Sequence, residues 1–529
     1  MKIIDIVQDI IDTTNDGTGR TQRQWVVVRR WAKMFFHGTF VACTGFGKTR
    51  VGTYALQLLR RNDPDRKVIV VVPTRPLKRQ WEKILVAMKQ ENNTEVYVIN
   101  TVAASASLQY CDLLILDEIH RYAAETFSKV FHVVKYRYII GLTATIERKD
   151  GKHALLEKYA PVFDEVPLHV AREKGWVAGY RIYNWGITLP PEEQEMYDNA
   201  YGRNSKLMKY MAVFNYDLGT IIQCATSNKP RWDPEGRKWY PPQSVRIARR
   251  LGWQGNTLAQ AIELKRYNDS APRGQKRNIW GGQLDHIYHP DKIVAYAVQA
   301  RRIIAERKNF ICNHQLKAEA VEKAYRLLNR KTISFTETKQ AAKDIQDLIG
   351  ERAVSYYTGM DSVAIMAQKS KEYKRKSSAE KFIGKHPDRR FELREKNGNF
   401  IVLWQEEKWV GEAYQKREAL RKLADNRYNI DFISSVKSLN EGIDIPDLEL
   451  ALIHSRNSTA RDSIQRTGRV ARLFTYKDGR EKEPIIVNIY LKGTKDESWL
   501  KSSLKGTIGS TWIDSIEEVV QAELFSMVA

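Results

Sequence analysis

Lys48, Thr49, Asp117 and Glu118 are the residues whose types and spacing first suggest chemistry. Lys48 and Thr49 close the stretch Ala42-Cys43-Thr44-Gly45-Phe46-Gly47-Lys48-Thr49. An apolar-leaning segment, 39–43, leads into it and a helical-looking one, 48–59, follows. Strand, glycine loop and helix are the context of a phosphate-binding loop. Gly45 and Gly47 let backbone amides approach phosphate oxygens, and the helix start favours an anion. There Lys48 would reach the β- and γ-phosphates of ATP, and the Thr49 hydroxyl would hold Mg2+. The general pattern has Gly where this chain has Ala42, so the loop alone also reads as a glycine turn before a helix. Asp117-Glu118-Ile119-His120 follows the apolar run 111–116. Asp117 suits the same Mg2+, and Glu118 suits orienting and deprotonating an attacking water. Far downstream lies Gln465-Arg466-Thr467-Gly468-Arg469-Val470-Ala471-Arg472. Arg469 and Arg472, three apart, share one helix face. Aimed at a γ-phosphate they would stabilise transition-state charge.

These residues need a scaffold that brings them together. The runs 67–72, 111–116 and 136–142 are apolar and alternate with helical segments. Each ends in a polar motif: Pro73-Thr74-Arg75-Pro76-Leu77, the acidic pair, and Thr143-Ala144-Thr145. That alternation predicts an α/β fold whose parallel sheet is covered on both faces, with chemistry at the carboxyl ends of its strands. A second such sheet is expected from 331–335, 353–357, 429–434, 448–454 and 484–491, without a phosphate loop of its own. Residues 1–35 read as helical. Gln24 there could pair with an adenine edge through its donor and its acceptor, or be an ordinary surface glutamine.

Two segments interrupt the alternation. Residues 171–330 read as a mostly helical insert and linker. Within it, 229–282 interleaves Lys and Arg with Trp232, Trp239, Tyr240, Trp253 and Trp280. Such aromatics either stack on bases beside cations that bind phosphates or build the core of a small insert. The second interruption, 361–428, lies inside the second sheet region. Its basic run 369–385 reads as a solvated helix or loop. Residues 391–404 read as a hairpin around Asn397-Gly398, with a short strand at 407–410 and a helix at 413–423. This basic ββα-type insert could touch duplex DNA, wedge strands apart or serve as a structural arm. The expected organisation is 1–170, 171–330, 331–500 and a tail, 501–529.

The 529 residues carry a net charge of +23, with a pI near 9.6. That excess calls for a polyanionic partner, nucleic acid before an acidic membrane surface. Cys43, Cys111, Cys224 and Cys312 lie too far apart for a disulfide framework or zinc site. The amino end lacks a long apolar run, and no stretch is apolar enough to span a bilayer. The expectation is a soluble cytoplasmic protein, in host cytoplasm if the source is viral.

Together the motifs resemble superfamily 2 helicases of the DExH type. Residues 42–49 match that family's loop form, AxTGxGKT, which accounts for Ala42. Residues 72–77, followed by Gln80 and Trp81, resemble motif Ia. Residues 117–120 resemble motif II, 143–145 motif III and 333–335 motif IV. Residues 438–446 resemble motif V, with Gly442 and Asp444 as fixed points, and 465–472 resemble motif VI. The phrases LTATIERKDG, SLNEGIDIP and QRTGRVAR look closest to phage UvsW-like and XPB-like DNA helicases. The resemblance implies two RecA-like domains around ATP and Mg2+, with residues 42–49 and Gln24 on the nucleotide. It implies catalytic roles for Lys48, Glu118, Gln465, Arg469 and Arg472. It also implies a backbone grip through Thr74, Arg75 and Thr101, and coupling through Thr143 and Thr145. The expected activity is an ATP-driven DNA helicase or translocase acting on single-stranded, forked or branched DNA. RNA as the polymer, or a motor subunit of a restriction or nuclease complex, are the alternatives.

Overall fold

The structure, a computed structural model, describes residues 19–529 apart from 62, 106–108, 125, 147–153, 234–237, 283–284, 387–388, 397, 437–444, 446, 456–465, 467, 469, 505–508 and 529. In chain order the first strands are β1 (His37–Ala42), β2 (Val68–Val72), β3 (Thr94–Val98), β4 (Gln109–Asp117), β5 (Val134–Thr143) and β6 (Val162–Val166). They form one sheet in the order β3-β2-β4-β5-β1-β6, parallel at every pairing. β2 shows why the run must be apolar throughout. Val68, Val70 and Val72 face one core cluster, and Ile69 and Val71 the other. A strand covered on both faces has no polar side to show.

The remaining strands are β7 (Arg181–Ile187), β8 (Arg231–Asp233), β9 (Lys238–Tyr240), β10 (Thr332–Thr336), β11 (Ala353–Tyr356), β12 (Val363–Tyr373), β13 (Phe391–Lys396), β14 (Asn399–Val410), β15 (Phe432–Val436), β16 (Leu450–Ile453), β17 (Ile485–Leu491) and β18 (Thr511–Ile513). The second large sheet runs β11-β15-β10-β16-β17-β7-β18. The first five strands in that order fall where the apolar runs predict them. Its last two come from outside 331–500: β7 lies within 171–330, the segment read as a helical insert, and β18 within 501–529, the segment read as a tail. The chain therefore contains two parallel-sheet α/β domains, and both sheets belong to one compact unit.

A second unit comprises 187–314 with 491–498. It is helical, and its longest helix, Pro290–Cys312, carries Ile293, Ala297 and Ala300 into a core shared with Trp253 and Trp280. Those two tryptophans are therefore packing residues, while Trp239 is 55% exposed.

The insert in the second sheet region departs from the predicted ββα pattern. The basic run begins as a strand, β12, and only then becomes a helix, Lys376–Gly384. The hairpin forms around Gly398, but β14 continues unbroken through 407–410. The three strands order as β12-β14-β13, antiparallel throughout.

Candidate active site

Because the first sheet is parallel, the loop after β1, residues 74–75 after β2, the helix Ile99–Ala104 after β3, and the ends of β4 and β5 all lie on one edge. Gly45 and Gly47 adopt φ of 95° and 96°, which side-chain-bearing residues resist. The helix Lys48–Arg60 starts at Gly47 with no side-chain cap, leaving its first amides for an anion. Ala42, Cys43 and Phe46 are buried beneath the loop, while Thr44, Lys48 and Thr49 are half-buried. Lys48 Nζ donates to Ala42 O at 3.1 Å, back across the loop. Burial pushes the Cys43 thiol up to about 11, so it is no nucleophile.

Gln24 is buried, and its Nε2 donates to Phe46 O at 2.7 Å. Its donor is committed to the loop, and its Oε1 is buried without a partner. The helix that carries it, Arg20–Lys33, is fastened to β6. Asp164 accepts from Arg23 at 2.7 and 2.8 Å and from Arg30 at 2.6 Å.

Asp117 ends β4 and is buried. Burial first, then the Glu118 charge, pushes its carboxyl up to about 6. Two donors hold it: Trp81 Nε1 at 2.8 Å and the Glu118 amide at 3.0 Å. Trp81 reaches it by passing over Gly52, where a Cβ would sit 2.7 Å from Trp81 Cη2. Glu118 has φ 52° and ψ 50°, left-handed for a non-glycine residue. Such a conformation costs on the order of 1–3 kcal/mol and clusters at functional sites. Glu118 Oε2 approaches His120 Nδ1 at 3.3 Å but accepts no hydrogen bond. Proton accounting explains this. Thr143 Oγ1 donates to Thr145 O at 2.7 Å, so the 2.8 Å contact with His120 Nδ1 must be a bond that Thr143 accepts. The chain at the end of β5 is thereby tied to His120, beside the acidic pair.

This edge suits Mg2+. Two adjacent carboxylates lie beside Lys48, and one of them is buried against its own charge. Among the described residues no group of three or more His, Cys, Asp or Glu side chains could cage a metal. Mg2+ takes one or two protein ligands and completes its shell with phosphate and water, which Thr49, Asp117 and a bound nucleotide can offer.

Thr74 caps the helix Arg75–Ala87, accepting from Leu77 N at 3.5 Å. Arg75 and Thr101 are exposed. Gln465, Arg469, Gly442 and Asp444 lie outside the described residues, but their neighbours do not. Gly468 is buried, and a Cβ on it would stand 2.1 Å from Thr44 Cβ. Ala471 O accepts from Ala178 N at 3.0 Å and lies 3.5 Å from where a Gly45 Cβ would be. The arginine-rich segment thus packs directly on the phosphate-loop edge. Arg466 fixes it from behind, donating to Glu337 Oε1 at 2.7 Å and Ser455 O at 2.6 Å, all buried. Burial pulls the Arg472 guanidinium down to about 10, still cationic at neutral pH. The ties through Trp81, His120, Asp164 and Glu337 are the parts that sequence reasoning missed. Trp81 stood in the motif Ia resemblance, but nothing in its spacing pointed to Asp117.

Two family models match. One, type III restriction enzyme, res subunit, covers residues 19–101 and 82–148; the other, helicase conserved C-terminal domain, covers 411–474. Among curated proteins, the DNA 3'-5' translocase XPB2 of Sulfurisphaera tokodaii is 23% identical over 94% of this chain and 88% of its own length. The ATP-dependent DNA helicase MPH1 of Scheffersomyces stipitis is 22% identical over 91% of this chain and 49% of its own. The solved Hef helicase domain of Pyrococcus furiosus aligns over 91% of this chain and 97% of its own at 18% identity, with a TM-score of 0.43. The fold assignment rests instead on the sheet topology. Two parallel-sheet domains with a phosphate loop and these family matches define an ATP hydrolase of the helicase and translocase class. The chain is similar to superfamily 2 helicases, an XPB translocase among them.

Proposed function

We propose that this chain couples ATP hydrolysis to movement along DNA, unwinding or branch-migrating forked or recombination intermediates. The contact of Gly468 with Thr44 carries the reading. It supports a nucleotide gripped by the loop and met from the arginine segment. Similarity to a DNA translocase over most of both chains, and the +23 charge, support DNA as the polymer. No helix among the described residues is long and apolar enough to cross a membrane.

In this reading Lys48 and the amides of 45–49 bind the phosphates, and Gln24 stiffens the loop around them. Thr49 and Asp117 hold Mg2+, which when bound neutralises charge on the phosphate oxygens. Glu118 orients the attacking water and takes its proton. Gln465, Arg469 and Arg472 stabilise transition-state charge, and Gly442 and Asp444 complete the nucleotide site. Thr74, Arg75 and Thr101 hold the DNA backbone. Thr143, bonded to His120, carries the state of the acidic pair toward Thr145 and the DNA side.

The test is ATP turnover with single-stranded DNA, duplex, fork and RNA, in the native chain and in Lys48→Ala and Glu118→Gln. Stimulation by DNA that falls steeply with salt, nearly abolished in both folded variants, is expected. Turnover indifferent to DNA and salt, or substantial hydrolysis in either variant, contradicts the reading.

A further inference from the structure

We propose that the outer end of the insert in the second domain is a separate grip on double-stranded DNA, binding its phosphate backbone outside the motor. This rests on the reading of the chain as a DNA motor and adds a second contact with its own substrate class.

The register of the insert sheet sorts its charge. Val363 pairs with Val410 at the attached end, where Gly359 N donates to Glu412 Oε2 at 2.6 Å and Gln415 Nε2 to Asp361 O at 2.7 Å. Tyr373 pairs with Phe400, and Lys396 with Asn399, at the other end. The 11 residues of β12 separate the two ends by roughly 35 Å, at about 3.3 Å per residue. The outer end holds Lys371, Lys374, Arg375, Lys376, Arg394 and Lys396, all exposed, against Glu372, Glu392 and Glu395. The attached half, 363–368 with 405–410, sets Lys408, and Arg389 at 3.7 Å from Glu406, against Glu406 and Glu407, with no net charge among these four. The positive excess is therefore held at the far end of the arm.

The apolar side chains show the opposite distribution. Near the outer end Tyr373, Phe382, Phe391 and Trp404 pack on one another, between the helix Lys376–Gly384 and the sheet. The large exposed apolar residues of the insert sheet, Val363, Met366 and Trp409, all lie in the attached half. Among the described residues the outer end thus presents cations without a bare hydrophobic wedge. That composition binds phosphate backbone without regard to sequence; it does not pry base pairs apart. The outer end lies some 35 Å along the arm from its attachment, a reach suited to duplex lying beyond a strand held at the motor.

The experiment uses the full chain with Lys374→Gln, Arg375→Gln, Lys376→Gln and Lys396→Gln combined, and Lys408→Gln as the control. Binding to a labelled duplex with a single-stranded tail is compared with binding to the tail alone across a salt series. Single-strand-stimulated ATP turnover and the melting temperature are measured in parallel. The native chain is expected to prefer the tailed duplex. The quadruple variant should keep its fold and turnover, lose about tenfold of that preference, and show a salt slope shallower by about 2 to 4. Lys408→Gln should match the native chain. The proposal is overturned by no duplex preference in the native chain or by a preference and slope that survive in the quadruple variant. Equal loss in Lys408→Gln also overturns it, as does loss confined to binding of anionic phospholipid vesicles. If no DNA stimulates native turnover, the motor reading fails by itself, and the binding comparison still decides for or against the grip.

Discussion

Gly468→Ala is the most informative single perturbation of the nucleotide site. The added Cβ would meet Thr44 Cβ at 2.1 Å, Cγ2 at 2.7 Å and Oγ1 at 2.8 Å, where ordinary contact begins at 3.4 Å. The nearest of these atoms is close to the backbone and cannot rotate aside. The loop and the arginine segment must therefore part by more than an ångström. Misplacing catalytic groups by about 1 Å costs roughly 100-fold in rate, which is about 2.7 kcal/mol of barrier. Lys48 and the loop amides stay where they are, so ATP affinity should change little. The assay is DNA-stimulated ATP turnover, with a fluorescent ATP analogue for affinity and thermal melting as the folding control. A kcat near the native value in a folded variant would refute the inference that these two segments serve one nucleotide. Thr44→Gly removes all three opposing atoms, so adding it to Gly468→Ala should recover part of the loss.

Other consequences are as direct. Trp81→Phe removes a donor to the Asp117 carboxylate, which helps hold its carboxyl down against burial. A hydrogen bond to a charged group is worth about 1.5–3 kcal/mol, so that carboxyl should rise by about 1–2 pH units. The acid limb of the turnover profile should move to higher pH by that amount; an unmoved limb counts against Trp81 as a positioning residue. Thr143→Val breaks the bond to His120 and should leave ATP turnover largely intact while strand displacement falls; a parallel fall in both would remove the coupling role. Arg466→Met removes a buried cationic partner from the Glu337 carboxylate and should destabilise the fold by about 3–5 kcal/mol in denaturant melts. A loss below about 1 kcal/mol would place the pair in the range of exposed ion pairs.

The buried strands were legible because β2 is an unbroken apolar run and β4, β5, β16 and β17 carry apolar stretches of three or more residues. Edges were not. β3, at the rim of the first sheet, fully buries only Val96, and β18 has three residues, so neither carries a periodic pattern. The outer part of β12, within the basic run 369–385, was read as helix or loop for the same reason. It is exposed along nearly its whole length, and cations stand where apolar alternation would mark a strand. The types of residue in the site were legible from motif spacing, but their fastenings were not. Trp81 and Asp117 meet through one polar atom of an apolar residue, 36 positions apart. Glu118 owes its reach to a backbone conformation that composition does not reveal. Gln24 was read either toward a base edge or as an ordinary surface glutamine; it is buried, and its Nε2 holds the loop on a helix pinned by Asp164.

The most direct measurement is single-turnover ATP hydrolysis by Arg469→Ala with saturating DNA, beside its ATP affinity. An arginine acting on the γ-phosphate predicts near-native affinity and hydrolysis slower by about 10³-fold or more. Hydrolysis within about tenfold of native in the folded variant, a change of only about 1.4 kcal/mol, would mean that this segment does not act on the nucleotide held by Lys48.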